Sequence, residues 1–167
     1  MTRPQLTDLE VAFPLAAQVV EAASGPPPRT IASAESCTGG LLAAALTAVP
    51  GSSAVFLGGV VSYANAAKAR DLAVPESLLR EHGAVSCEVA EAMARGIRDR
   101  FGTTFGVSTT GVAGPGSSEA KPAGLVYVAV AGPAGVSWRQ LSGDLGRHQN
   151  RVAAVEVALE LLLGQLA

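Results

Sequence analysis

The run LVYVAVA at 125–131 holds no charged residue and is shorter than an ordinary helix, so it reads as a buried strand. The turn-forming GPAG at 132–135 follows, and residues 136–141 pair back as the second arm of a hairpin. Such a strand must be covered on both faces, which points to a layered fold. Residues 30–34, 55–63 and 105–110 also read as strands. Helical segments alternate with them. The first runs from a capping box, Thr7-Asp8-Leu9-Glu10, to about Ala23, with Pro14 either kinking it or opening its first turn. Others cover 41–49, 75–82, 86–100 and 151–167, while 64–72 reads as loop entering a short helix. Ser86 is placed to cap the 86–100 helix, where Val89, Met93 and Ile97 form one apolar stripe. This order predicts the α/β class: a three-layer α/β/α sandwich with a mixed, mostly parallel sheet, the hairpin supplying the antiparallel member. One domain spanning 1–167 is expected.

Composition narrows the function classes. Aromatic residues make up 4% of the chain, so the core must be built from Ala, Val, Leu and Ile. Twelve Lys and Arg face 14 Asp and Glu, a formal net charge of -2, which does not describe a nucleic-acid-binding surface. The apolar N-terminal stretch is interrupted by Glu10, Pro14, Gln18 and Glu21, so neither a signal peptide nor a membrane span is expected. Two cysteines, Cys37 and Cys87, make no disulfide framework, and a reduced, cytoplasmic protein is the expectation.

The chemistry concentrates in AESCTGG, residues 34–40, at a predicted strand-to-helix junction. Unpaired N–H groups at a helix start carry partial positive charge, and Gly39 and Gly40 permit close approach to the backbone. Taken alone, the junction favours an anion cradle or a plain cap over a nucleophile. A nucleophilic Ser36 requires a base. His82, beside Glu81, and His148 both read as solvated surface residues. The alternatives are the two lysines, Lys68 in ANAAKAR and Lys121 in SEAKPAG; desolvation by such small neighbours disfavours the charged form and makes an amine a base. Tyr63 ends a predicted strand five residues before Lys68, at the rim of any site there. STTGVAGPG, 108–116, is a second glycine-rich strand end, and open α/β sheets bind ligands along such ends.

These segments, with PGSSAVFLGGVVSYANAAKARDL (50–72), EHGAVSCEVAEAMA (81–94), KPAGLVYVAVA (121–131) and SGD (142–144), occur in an order that resembles the CinA C-terminal domain family. The resemblance covers roughly residues 6–167. Larger CinA proteins carry an additional N-terminal domain. Stand-alone members are similar to nicotinamide mononucleotide deamidase. The resemblance implies the same three-layer fold and an amidohydrolase that converts nicotinamide mononucleotide and water to nicotinate mononucleotide and ammonia. No metal or cofactor is implied. Carried over motif by motif, Ser36 would be the nucleophile, Lys68 its base and Tyr63 a helper in the proton relay. Thr38, Gly39, Gly40, Thr110 and Gly111 would bind substrate, and Arg147 or Arg151 its phosphate. A homodimer or higher homo-oligomer is implied, with no nucleic-acid or membrane partner.

The chain departs from the family pattern at SGDLGRHQNR, where Leu145 stands in place of an arginine, and at SSEAKP, which is less glycine-rich than usual. Two other readings therefore stand beside the amidase: a non-catalytic nucleotide-binding or interaction module, and a hydrolase using Cys37, whose thiol a helix start would acidify.

Overall fold

The computed structural model describes residues 8–167. Its five strands are β1 (Ile31–Glu35), β2 (Phe56–Val61), β3 (Phe105–Gly111), β4 (Val126–Gly132) and β5 (Gly135–Leu141). They form one sheet in the order β2-β1-β3-β4-β5. β1 runs parallel to both β2 and β3, whereas β4 runs antiparallel to β3 and to β5. Four strands thus share one direction, and β4 is the reversed member that the hairpin was expected to supply.

Seven α-helices among the described residues accompany the sheet: α1 (Leu9–Ala12), α2 (Pro14–Ala23), α3 (Leu41–Ala48), α4 (Asn65–Leu72), α5 (Glu76–His82), α6 (Cys87–Phe101) and α7 (Arg147–Leu166). Side-chain alternation sorts them into layers. Val126, Val128 and Val130 of β4 join Ile31, Phe105 and Val107 in a core with α2, α3 and α7. The intervening Ala129 and Ala131 face Ala90 and Ala94 of α6, and Ala32 and Ala34 of β1 meet Leu72, Val89 and Met93. The run LVYVAVA is apolar on both faces because each face has its own helical layer. Its α6 side carries Ala129 and Ala131, with Tyr127 beside them, because that helix lies very close. A Cβ on Gly106 of β3 would stand 2.0 Å from the Ala94 carbonyl oxygen, so only glycine fits there.

Ser86 caps α6 as expected, accepting from Val89 N at 3.3 Å. The first helix is two helices. Asp8 caps α1, accepting from Glu10 N and Val11 N, and Pro14 opens α2. Thr7, expected as the cap, lies outside the described residues. Residues 65–72 are helical as α4. The last helix starts at Arg147, a full turn before the expected Arg151, because buried Asn150 is held inside its first turn. Asn150 Nδ2 donates to Ala113 O at 3.0 Å and to Asp144 Oδ1 at 2.8 Å. No helix among the described residues is long and apolar enough to cross a membrane.

Candidate active site

The C-terminal ends of parallel β1, β2 and β3 lie side by side, and each delivers a piece of one pocket of about 250 Å³. Ser36 leaves β1 and is 8% exposed. Its own N–H donates to Thr109 O of β3 at 2.9 Å, which ties the nucleophile candidate to the sheet. The chain leaves β2 through Ser62 and Tyr63, turns, and enters α4. That turn carries Lys68 back beneath the pocket, where the whole residue is 1% exposed.

Lys68 Nζ lies 3.0 Å from Ser36 Oγ, 2.9 Å from Ser62 O and 3.2 Å from Tyr63 O. A neutral amine has two hydrogens and one lone pair. The two carbonyls can only accept, so they take both hydrogens, and the third direction, toward Ser36, holds the lone pair. Burial, the largest influence on this group, holds its pKa below the usual lysine value. Buried placement and geometry together leave Lys68 able to accept a proton from Ser36.

Glu35 explains the rest of the junction. It is 0% exposed. Its carboxylate accepts from Thr38 Oγ1 at 2.7 Å, from Gly40 N and Leu42 N at 3.0 Å, and from Ala43 N at 2.8 Å. The free N–H groups of α3 are thereby consumed by the protein itself. The junction is capped from within, so the helix start is not an anion cradle. The N–H groups of Cys37 and Thr38 have no oxygen acceptor among the described residues. Both belong to the residues that directly follow Ser36, and both act on the Cys37 sulfur.

Several expected site residues have different duties. Tyr63 enters the site through its carbonyl. Its phenol, on a side chain at the rim in a residue 59% exposed, receives a hydrogen bond from Arg147 Nη2 at 3.1 Å and touches neither Ser36 nor Lys68. Thr38 is fully buried, its hydroxyl shared between Glu35 and Thr109 Oγ1 at 2.7 Å, so its side chain shapes the loop. Gly39 and Gly40 are needed for left-handed backbone, at φ 60° and 97°, and do not line the pocket. Arg151 also lies off the pocket; its Nη2 donates to Thr38 O at 2.8 Å and braces the nucleophile loop. Thr110 and Gly111 do line the pocket, and Thr110 Oγ1 donates to Ala84 O at 2.7 Å. Arg147 lines it too, its Nη1 donating to Gly114 O at 2.8 Å.

The rival nucleophile and bases separate cleanly. Burial pushes the Cys37 thiol up to about 12, which leaves it protonated and unreactive at neutral pH. Both cysteines are free thiols. Lys121 is spent on the carbonyls of His82 and Val85, and neither histidine lines the pocket. Sequence reasoning left Glu35 without a definite role and missed Glu119 as a pocket residue. A carboxylate directly before a Ser-x-Thr-Gly-Gly helix start was the available signal for Glu35.

Comparison with known proteins places this arrangement. The family model for the CinA C-terminal domain matches residues 14–166. The chain belongs to the CinA C-terminal domain family. A CinA-like protein of Frankia casuarinae is 53% identical over 140 residues, covering 83% of this chain and 32% of that protein. One from a Cyanothece strain is 58% identical over 140 residues, covering 82% and 34%. The chain thus spans about a third of the length of the curated relatives it matches. Among solved structures, the competence/damage inducible protein CihA of Agrobacterium tumefaciens superposes with a TM-score of 0.87 at 41% identity, covering 98% of each chain. A CinA superfamily protein of Escherichia coli gives 0.88 at 30% identity, covering 96% of this chain and 94% of that one. The CinA domain fold is therefore shared across the whole sheet on which the pocket stands.

Proposed function

We propose that this CinA domain is an amidohydrolase that deamidates nicotinamide mononucleotide, a step in the recycling of pyridine nucleotides. The observation that carries the reading is the buried Lys68 amine, its two hydrogens taken by backbone carbonyls and its lone pair turned to Ser36 Oγ. That is a preformed nucleophile–base pair with no other evident use. Lys68 takes the Ser36 proton as Oγ attacks the carboxamide carbon. The N–H groups of Cys37 and Thr38 stabilise the oxyanion. The C–N bond breaks as Lys68 returns its proton to the departing ammonia. Water then enters, Lys68 removes its proton, and hydrolysis of the ester restores Ser36 and releases the carboxylate product.

The phosphate end of the substrate is assigned to Arg147. Its guanidinium stands at the pocket rim, at the start of the 20-residue α7, where helix N–H groups add positive potential. With Leu145 where the resemblance leads to an expected arginine, Arg147 is the next cation along the chain. Arg147→Met is expected to raise KM by about 10-fold or more, the worth of a charged hydrogen bond, with kcat nearly unchanged. Steady-state kinetics on the purified variant checks this. The proposal places the protein in the cytoplasm as a homo-oligomer.

The direct test is to incubate the protein with nicotinamide mononucleotide and follow ammonia and nicotinate mononucleotide. Equal amounts of both are expected, and the Cys37→Ser variant should retain the rate within about 3-fold, since the thiol takes no part. Absence of ammonia release sinks the amidase reading, and loss of turnover in Cys37→Ser would return the nucleophile to the thiol.

A further inference from the structure

The loop between β3 and β4 contains a conformational oddity that points into the pocket. Ser118 and Lys121 exchange backbone hydrogen bonds at 3.0 and 2.9 Å, closing a two-residue turn. Its central residues, Glu119 and Ala120, both have positive φ, 53° and 60°. Turns of this kind favour glycine or asparagine at both places, and other residues are strained there. A glutamate held in such a position calls for a reason beyond the turn itself.

The side chain supplies one. Glu119 Oε2 accepts from Ala84 N at 2.9 Å, and Oε1 accepts from Asn65 Nδ2 at 3.5 Å. The carboxylate is thus tethered between the α5–α6 connection and the start of α4, on the pocket wall. It is the sole carboxylate lining that pocket among the described residues. No Lys, Arg or His of the described residues stands within salt-bridge distance of it; Lys121, its near neighbour in the turn, serves the His82 and Val85 carbonyls instead. Arg147 is held at the rim by Gly114 O and the Tyr63 phenol. The wall therefore presents an anchored negative charge without a salt-bridge partner, in the same pocket as the Ser36–Lys68 pair.

We propose that Glu119 is a specificity-determining residue that selects carboxamides borne on a cationic aromatic ring over their neutral counterparts. The inference rests on the amidase reading for the identity of the substrate, and it adds the feature by which that substrate is recognised. In nicotinamide mononucleotide the pyridinium ring carries the positive charge, and the carboxamide is its substituent. With the carboxamide at Ser36, the ring lies in the pocket where the Glu119 charge acts on it, while the phosphate faces Arg147. The two ends of the ligand are of opposite sign, and so are the two walls. A ring without charge forfeits one of these attractions and leaves the carboxylate facing an apolar surface.

Oxidised and reduced nicotinamide mononucleotide make the comparison, because the dihydropyridine ring of the reduced form is neutral while carboxamide, ribose and phosphate are retained. Their dissociation constants are measured by calorimetry on the Ser36→Ala protein, which binds without turnover, with Glu119 intact or replaced. With Glu119 present, the oxidised form should bind about 10-fold or more tighter, as one partly solvated charge pair provides. Glu119→Gln, which keeps an oxygen for Ala84 N, should bring the ratio to about 1, and Glu119→Asp should retain part of the preference. A ratio that is the same with Glu119 intact as in the Glu119→Gln variant overturns the proposal. So does an equal loss of preference in Glu119→Gln and Glu119→Asp, which would make the residue a turn anchor only. If the charge preference is seen but the wild type releases no ammonia, the amidase reading fails and Glu119 stands. If ammonia is released and the ratio does not respond to Glu119, the reverse holds. Failure of the oxidised nucleotide to bind overturns both.

Discussion

Lys68→Met should leave a folded protein whose turnover of nicotinamide mononucleotide is lower by about 10³-fold or more, the upper part of what a positioned base contributes. Methionine fills nearly the same buried volume, so the loss falls on the chemistry. Ser36→Ala should reach the same floor, and the double variant should be no worse, because the two groups act as one unit. Single-turnover assays on the three proteins check this. The pH dependence follows from the free amine being the active form. Burial lowers the Lys68 pKa, so kcat/KM rises with pH through a value below the usual lysine range. Stability carries the same signature. In the unfolded chain this amine keeps its proton up to about pH 10.4. Between the folded and unfolded values the unfolded chain binds more protons, so stability rises with pH in that window and falls back as pH drops to the folded value. Urea unfolding at a series of pH values should show this rise in the wild type and a flatter profile in Lys68→Met.

The second large effect is expected at Glu35. Its carboxylate satisfies the Thr38 hydroxyl and three backbone N–H groups of the α3 start, two of these four bonds buried and two part-buried. Glu35→Ala deprives all four donors at once. A single lost cap costs about 1 kcal/mol and a buried unsatisfied group about 1–3 kcal/mol, so a loss of about 3 kcal/mol or more is expected. Glu35→Gln should be milder, since one oxygen remains, but its amide NH₂ then faces an N–H donor. The urea midpoint should fall in both variants, further in Ala, with the slope unchanged. Turnover should fall in parallel, because Ser36 is the next residue and the loop that orients it hangs from this carboxylate.

What could be read in the sequence and what could not divide along a physical line. The α6 helix was legible from its Ser86 cap and the Val89-Met93-Ile97 stripe, both local signals. The strands were legible because apolar runs bounded by Gly and Pro leave few alternatives, and their order fixed the layers. The start of α7 was displaced because Asn150 makes its decisive bonds to Ala113 and Asp144, and no periodicity announces that. The site followed the same rule. Ser36 and Lys68 were nameable by motif and are brought together as expected. Thr38, Gly39, Gly40 and Arg151 were assigned to substrate, yet each serves the loop, because side-chain direction at a strand end depends on partners such as Thr109 that lie far away in the chain. The Tyr63 phenol was expected in the proton relay for the same reason, where the carbonyl of that residue is the group that reaches Lys68.

That last detail bears on how the site tolerates genetic change. Two of the three groups around the Lys68 amine, Ser62 O and Tyr63 O, belong to the main chain. No substitution can delete them, and many residues at 62 and 63 would supply the same two oxygens. The tuning of the base is written in the spacing from Tyr63 to Lys68, which takes in the end of the three-residue elbow after β2 and the first turn of α4. Inserting or removing one residue in that first turn of α4 would rotate Lys68 about 100° around its helix and carry the amine away from both carbonyls and from Ser36. The segment should therefore accept exchanges of side chain far more readily than any change in its number of residues.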